Sequence, residues 1–208
     1  MRIKSETFWV VGGGVAILLI FLLLASAQFT SKPVATIADP SSLSDIQTGN
    51  APWSNEIATL AVRLKAIGLP ALSQEGTVLH IHQHLDIFVD GQPVAVPAGV
   101  GINQAAQFIS PIHVHDDTGV IHVESPQVQT STLGQFFDVW GVKFTKDSIG
   151  GYVATGDKTL KVYVNGKLYE SDPRTLALEA HQEIVIAYGT DKELPNPILA
   201  SYSFPAGE

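Results

Sequence analysis

With 208 residues, the chain carries 20 Asp and Glu against 12 Lys and Arg and has a formal net charge of −8 at pH 7. Such a surface repels phosphate backbones, and we expect no nucleic-acid partner. The absence of cysteine excludes disulfides, thiolate metal ligands and cysteine nucleophiles, so a metal site in this chain must use imidazole and oxygen ligands.

The N-terminal segment predicts attachment to a membrane. Residues 8–27 are uncharged and largely apolar, and Arg2 and Lys4 precede them, which is typical of a single transmembrane helix that follows a cytoplasmic N-terminus, residues 1–7. Residues 25–27, Ala-Ser-Ala, also fit a signal-peptidase site. We favour an uncleaved anchor, with a cleaved signal peptide and a secreted protein as the alternative. In both cases the main domain is predicted on the extracytoplasmic side of the cell membrane, periplasmic or extracellular.

A tether and one domain come after the predicted anchor. Residues 28–52 are rich in Ser, Thr, Asp and Pro and show little periodicity, which is typical of a flexible tether. Residues 53–208 are predicted to form an extracytoplasmic, β-rich metal-binding domain.

The first helix of this domain is predicted between Ile57 and Ile67, where apolar residues recur at helical spacing. Ser54 or Asn55 can cap its start, and Gly68 is expected to end it. We expect this amphipathic helix to pack on the sheet beyond it.

A long strand is predicted from Leu79 to Val89, where apolar residues alternate with polar ones. Asp90-Gly91 then favours a tight hairpin, and Asn165-Gly166 does the same after the similar stretch LKVYV. The polar positions of the long strand include His80, His82, His84 and Asp86.

A second short helix is predicted to start at a capping box of Thr132 and Gln135, to end at Gly141 and to plug the core. The proline-containing tail from Leu194 is expected to be irregular or an edge strand. Further strands are predicted at residues 143–144, 152–155 and 183–188. The predicted fold class is therefore mainly β: an antiparallel β-sandwich or small barrel-like sheet with two short helices, preceded by one N-terminal transmembrane helix.

The segment HVHDDTGVIHVE can be given a register. A four-residue loop, residues 116–119, with its glycine in the left-handed conformation would pair His115 with Val120. His113 then lies directly opposite His122. One face of this hairpin carries His113, His115, His122 and Glu124.

These histidines have the pattern of metal ligands. Two imidazoles at i and i+2 and a third across an antiparallel pair can converge on one ion, because opposed Cβ atoms lie about 5 Å apart and metal–nitrogen bonds measure about 2.0–2.1 Å. His113, His115 and His122 are thus predicted ligands. Three protein ligands leave a coordination position open for water or substrate, as in catalytic sites.

His80, His82 and His84 share a strand face, but the outer two lie about 13 Å apart along the strand, too far to bind one ion together. One or two of them can complete the first site if the strands are neighbours, and the others can form a second site or orient ligands. Asp86 and Glu124 can accept imidazole N–H bonds or bind the metal directly.

Other interpretations of the polar residues are simpler. The histidines could line a solvated face or form a pH-sensing cluster, although so dense a set of imidazoles favours metal binding. His181 and Glu183 form an i, i+2 pair that is interpreted as structural, and Asp116 and Asp117 are interpreted as turn formers.

The ligand type narrows the metal to copper or zinc. Imidazole suits both, and Cu(II) comes first in the Irving–Williams order. A thioether-rich Cu(I) site is disfavoured because Met1 is the only methionine. If His113, His115 and Glu124 acted as a two-histidine, one-carboxylate triad, iron would be the less favoured alternative.

The stretch GLPALSQEGTVLHIHQHLDIFVDG, followed by PIHVHDDTGVIHVESP and LGQFFDVWGV, resembles a group of membrane-anchored or secreted bacterial proteins that share the two histidine motifs. The resemblance covers Gly68 to Gly189 and implies an extracytoplasmic bacterial setting, but no activity. HVHD is also similar to the HVH of copper-zinc superoxide dismutases, although that family's bridging-histidine spacing and disulfide cysteines are missing here. Cupins share an HxH motif, yet the Glu they carry three or four residues later is absent. Neither similarity transfers a catalytic residue.

The sequence supports three functional hypotheses. The first is an extracytoplasmic, membrane-anchored metal-binding protein, either a metal-handling factor or an accessory subunit of a membrane enzyme complex. The second is a hydrolase, lyase or dismutase-like metalloenzyme with a three-histidine site, a metal-bound water and Glu124 as general base. The third is a non-catalytic interaction module, which predicts imidazoles more than about 6 Å apart.

Overall fold

A computed structural model describes residue 39 and residues 42–207, all within the unit Pro33–Glu208. The predicted cytoplasmic residues 1–7, the predicted anchor at 8–27 and most of the predicted tether lie outside the described residues. Among the residues that the structure describes, no helix is long and apolar enough to cross a membrane.

The described chain is mainly β, with two α-helices and three sheets. The helices are α1 (Leu60–Ala66) and α2 (Leu133–Trp140). The strands are β1 (Leu79–Val89), β2 (Gln92–Val94), β3 (Ile102–Asn103), β4 (Phe108–Ile109), β5 (Ile112–His113), β6 (Val120–Ser125), β7 (Phe144–Thr145), β8 (Ser148–Ile149), β9 (Tyr152–Val153), β10 (Thr159–Val164), β11 (Lys167–Leu168) and β12 (Glu183–Gly189).

The largest sheet has seven strands in the order β11-β10-β12-β1-β6-β5, with β2 also paired to β1. Two small sheets, β3-β4 and β7-β8-β9, complete the fold. The prediction of a mainly β fold with two short helices is confirmed. The large sheet is mixed, because β1 runs parallel to β12 while β1–β6, β5–β6 and β10–β12 are antiparallel. The prediction of an antiparallel sheet is therefore wrong at its centre, where no local turn joins the two strands.

Tight turns set the hairpins of this sheet. Asp90 and Gly91 have φ values of 50° and 76°, and Asn165 and Gly166 have φ values of 50° and 77°. These are the left-handed conformations that a two-residue hairpin needs. The two predicted hairpins, β1–β2 and β10–β11, are confirmed.

The second helix forms as predicted. The Thr132 side chain accepts a hydrogen bond from the Gln135 amide, the Gln135 side chain accepts one from the Thr132 amide, and Gly141 ends α2 with φ 79°. Every residue of α2 is buried, and the helix packs against β5 and α1. Its role as a core plug is confirmed.

The first helix starts later than predicted. It begins at Leu60 after Thr59, which makes no side-chain capping hydrogen bond. Ser54 does not cap it, because its amide and hydroxyl both donate to the side chain of Gln47. Asn55 does not cap it either, because α1 begins five residues further on, at Leu60; the side-chain amide of Asn55 donates to the Ala98 carbonyl. The capping prediction is wrong because α1 begins at Leu60, too far along the chain for Ser54 or Asn55 to stand at its N-cap.

The two faces of β1 and β6 differ in chemistry. Leu85, Ile87, Ile121 and Val123 point into the hydrophobic core, and the alternating positions carry the histidines. The tail after Leu194 contains no strand within the described residues, so it is irregular, as predicted.

Candidate metal centre

Three histidines lie in one row across three adjacent strands. His113 of β5 pairs with His122 of β6, and His122 in turn lies opposite His82 of β1. The register predicted for His113 and His122 is confirmed, and Gly119 has the positive φ, 87°, that the predicted turn requires. The prediction that the HIHQH strand could neighbour this hairpin is confirmed as well.

Two overlapping groups of ligand atoms result from this row. In each group the four ligand atoms lie within 4.8 Å of one another, so each could hold a metal ion. One group consists of His113, His115, His122 and Glu124, and the other of His80, His82, His122 and Glu124. We call these five histidines and Glu124 the histidine cluster.

The imidazole nitrogens within each group are close enough to share an ion. His113 Nε2 lies 3.2 Å from His115 Nε2, and His80 Nε2 lies 3.0 Å from His82 Nε2. Two nitrogens bound to the same tetrahedral ion at about 2.0–2.1 Å lie about 3.3–3.4 Å apart. The spacing above 6 Å that the interaction-module hypothesis predicts is therefore not found.

His113 is held as a neutral imidazole by its surroundings. Its side chain is fully buried, and its Nδ1 lies 2.9 Å from the Ser110 carbonyl oxygen. A carbonyl can only accept, so Nδ1 carries the proton and Nε2 presents its lone pair to His115. Burial, followed by the nearby His115, lowers the pKa of His113 to about 3. The ring is therefore uncharged at neutral pH, as metal binding requires.

His122 and Glu124 form the middle of the cluster. His122 Nδ1 lies 3.1 Å from Glu124 Oε1, and the same oxygen lies 3.2 Å from His80 Nε2. Burial, then His82 and His115, lowers the pKa of His122 to about 4. Burial, then the charge of Glu75, raises the pKa of Glu124 to about 7. The middle of the cluster thus offers a neutral imidazole beside a desolvated carboxyl group.

Glu75 is a neighbour of the cluster that the sequence did not predict. Its Oε1 lies 3.4 Å from His115 Nε2, and its side chain is half exposed. It belongs to the irregular segment before β1, where no periodicity marks the direction of a side chain. It adds a carboxylate at the open edge of the cluster.

His84 lies apart from the other predicted ligands, in a group with Asp86 and Glu183 whose three ligand atoms could also hold an ion. His84 Nδ1 lies 2.9 Å from Glu183 Oε2, and His84 Nε2 lies 2.9 Å from the Thr118 carbonyl oxygen. Two acceptors, one on each nitrogen, favour a ring that carries both protons. Desolvation lowers the pKa of His84, but the hydrogen bond and charge of Glu183 outweigh it, and the pKa is raised.

The other polar residues from the sequence have local roles. Glu183 is buried as the partner of His84, and Asp86 Oδ2 lies 3.8 Å from His84 Nδ1. Asp116 accepts hydrogen bonds from the amide and hydroxyl of Thr118, so its predicted role as a turn former is confirmed.

A groove of about 340 Å³ runs along one side of the cluster. His181 contributes to its wall; the residue has a φ of 60°, and its amide donates to the His82 carbonyl. The sequence led us to interpret His181 as a structural residue. No local sequence pattern indicated that it lies beside the histidine cluster. The groove is lined by His80, Ile81, His82, Ala180, His181 and Gly207.

Comparisons with family models, with curated proteins and with solved structures find no match for the chain. A functional assignment therefore depends on the geometry of the cluster. This geometry brings five of the six predicted histidine ligands and Glu124 together in groups that could hold a metal ion, and it places His84 elsewhere.

Proposed function

We propose that the chain is a metal-binding protein whose first ion is held by His113, His115 and His122, with Glu124 as a fourth ligand or as a hydrogen-bond acceptor. The observation that carries this proposal is the pair of Nε2 atoms 3.2 Å apart, one of which is turned towards its neighbour by the Ser110 carbonyl. A ring held in the correct tautomer by a backbone carbonyl is the arrangement that metal-binding histidines use.

Copper or zinc is the metal that we propose. Imidazole and carboxylate ligands suit Cu(II) and Zn(II), and Cu(II) binds such ligands more tightly. Iron is the less favoured alternative, through His113, His115 and Glu124.

The cellular role that we propose is metal handling at a membrane, or service as an accessory subunit of a membrane enzyme complex. The support comes from the uncharged residues 8–27 and the polar stretch after them, which would tether the domain near the bilayer on the extracytoplasmic side. The solvent-facing edge of the cluster also supports it, because the side chains of His115 and His80 are 43% and 51% exposed and could pass an ion to a partner.

The proposal is tested by elemental analysis of the protein purified without an affinity tag. We expect copper or zinc in the wild type, and we expect the content to fall by one ion per chain in a His113→Asn, His115→Asn variant, because two ligands of that ion are removed. Asp117→Asn is the matched control, since Asp117 is an exposed turn residue outside the groups that could hold a metal ion and Asn is also a turn former. A wild-type protein that purifies without metal and takes up none on titration would refute the proposal.

A metalloenzyme is the second candidate. The groove beside His80 and His82 would admit a small substrate to an ion with three histidine ligands and one open position. Glu124 would then serve as general base. The zinc-loaded protein should hydrolyse 4-nitrophenyl acetate, and Glu124→Gln should lower the rate by about 100-fold or more. Equal rates for the two proteins would leave metal binding as the function.

A further inference from the structure

We propose that the histidine cluster binds two metal ions, with the Glu124 carboxylate as a bridge between them. This inference rests on the proposed function, since it concerns a second ion beside the first. The first ion takes His113, His115 and His122, as proposed above, and the second takes His80 and His82.

The number of ligands exceeds what one ion needs. Zinc in proteins takes four ligands in most structural sites and three with an open position in catalytic sites. The cluster offers five imidazoles and one buried carboxyl group, and these fall into two groups of four that share only His122 and Glu124. A single ion would use one pair of imidazoles and leave the other pair joined only by a hydrogen bond between its nitrogens.

The two pairs lie on opposite sides of the middle strand. His113 and His115 come from β5 and its continuation, and His80 and His82 come from β1, while β6 lies between them. The His122 ring centroid is 4.6 Å from that of His115 and 4.4 Å from that of His82. Neighbouring strands lie about 4.8 Å apart, so side chains that lean inwards from β1 and β5 can hold two ions over β6.

The two pairs also match each other in burial. One imidazole of each pair is buried, His113 or His82, and its partner two residues away, His115 or His80, is exposed. Each half therefore has an inner ligand held by the protein and an outer ligand open to solvent. This repeated arrangement of one buried and one exposed imidazole supports two metal sites rather than one.

Glu124 has the position of a bridge. It projects from the middle strand, its side chain is almost fully buried, and its Oε1 lies 3.2 Å from His80 Nε2 and 3.1 Å from His122 Nδ1. In the two-metal sites of proteins, the two ions lie about 3.5–4 Å apart. Glu75, 3.4 Å from His115, provides a second carboxylate against the charge of two divalent cations, which are Zn(II) or Cu(II) by ligand type.

Titration with Cu(II) tests the inference, with metal content and electron paramagnetic resonance as the measurements. We expect two Cu(II) ions per wild-type chain. The signal of an isolated Cu(II) ion should grow with the first equivalent and then fall or broaden with the second, because two ions at bridging distance couple their spins. Glu124→Gln should weaken the second binding event by 10-fold or more and restore the signal of uncoupled ions.

Variants assign the two ions to the two pairs. His80→Asn with His82→Asn should bind one Cu(II) ion with an uncoupled signal, whereas Asp117→Asn, at an exposed turn residue, should behave like the wild type. Circular dichroism checks that each variant is folded. If the double variant does not fold, His80→Asn alone, at an exposed side chain, should still lower the content from two ions towards one.

The outcomes separate this inference from the proposed function. One Cu(II) ion per wild-type chain at saturation, with a full uncoupled signal, would overturn the two-ion inference and leave the metal-binding function standing. Two ions without coupling would overturn the bridge. No ion at all would overturn both.

Discussion

His113 and His84 lie on the same face of one sheet, and both donate one N–H to a backbone carbonyl, yet they differ in what the second ring nitrogen meets. At His113 the second nitrogen meets another imidazole 3.2 Å away. At His84 it meets the buried carboxylate of Glu183 at 2.9 Å. The first environment leaves a neutral ring with a free lone pair, and the second favours a protonated ring in an ion pair. The group opposite the second nitrogen therefore distinguishes a ring that could bind a metal from a ring that carries a structural charge.

The largest effect on stability is expected when the ion pair of His84 and Glu183 is broken. Glu183→Ala leaves the His84 ring buried without its acceptor, and removal of one partner of a buried pair costs about 3–5 kcal/mol of unfolding free energy. Denaturant unfolding of the metal-free protein measures this. The variant should keep the metal content of the wild type. A fall in metal content together with an unchanged unfolding free energy would mean that the His84 group, and not the histidine cluster, is the metal site.

The next largest effect concerns affinity. His113→Asn with His115→Asn should weaken binding of the first Zn(II) ion by more than about 100-fold, because loss of residues that merely orient metal ligands already costs 10–100-fold. Isothermal titration calorimetry against the wild type measures it. His84→Asn is the matched comparison on the neighbouring strand, and we expect its affinity within about 3-fold of the wild type, since a 3-fold change is well under 1.4 kcal/mol. Equal losses of zinc affinity in both variants would mean that His84 contributes to metal binding as much as the histidine cluster does.

The stability of the metal-free protein should depend on pH differently for the two regions. The pKa values of His113 and His122, about 3 and about 4, lie below those of the unfolded chain, so the unfolded chain binds extra protons as the pH falls below about 6.5. The pKa of Glu124, about 7, is raised and offsets about one of these two protons above about pH 4.5.

These three groups together leave about one proton in excess on the unfolded chain, so they lower stability by about 1.4 kcal/mol per pH unit from pH 6.5 to 4.5. Because the pKa of His84 is raised, its contribution is fully present below about pH 6.5 and is lost as the pH rises through its folded value. Urea unfolding from pH 4.5 to 9 measures the unfolding free energy over both pH ranges, below and above pH 6.5. His113→Asn should make the unfolding free energy less dependent on pH below pH 6.5 and leave its dependence above pH 6.5 unchanged. Stability that rises on acidification below pH 6.5 would contradict the neutral cluster.

The smallest effect is expected where the C-terminal tail covers His84. The Tyr202 ring stacks on His84 with centroids 3.8 Å apart and an interplanar angle of 7°. Tyr202→Ala should lower the unfolding free energy by about 0.5–1.5 kcal/mol and leave metal content unchanged. Thermal unfolding and elemental analysis check both. A change in the metal content of this variant would connect the tail to the histidine cluster.

Local patterns predicted much of the fold and of the cluster. The period-two alternation predicted β1, the Asp-Gly and Asn-Gly pairs predicted two hairpins, and the turn before Gly119 predicted that His113 faces His122. Each of these features depends on residues that are close in the chain, where backbone conformation is set by short-range sterics.

Local sequence patterns did not predict the long-range contacts. The parallel pairing of β1 with β12 joins strands about a hundred residues apart, and it alone places Glu183 beside His84. Glu75 and Tyr202 approach the histidine face from irregular segments, where side-chain direction follows no period. The start of α1 was also mispredicted: contacts with Gln47 and with the Ala98 carbonyl hold Ser54 and Asn55 before the helix, which begins at Leu60.

Anomalous X-ray diffraction from crystals of the zinc-loaded protein tests the central claim most directly, because it locates ions relative to named nitrogens. We predict an anomalous peak about 2.0–2.1 Å from Nε2 of both His113 and His115, and none between His84 and Glu183. A peak at the His84–Glu183 pair alone, or no peak on the histidine face, would contradict the claim that the histidine cluster is the metal site.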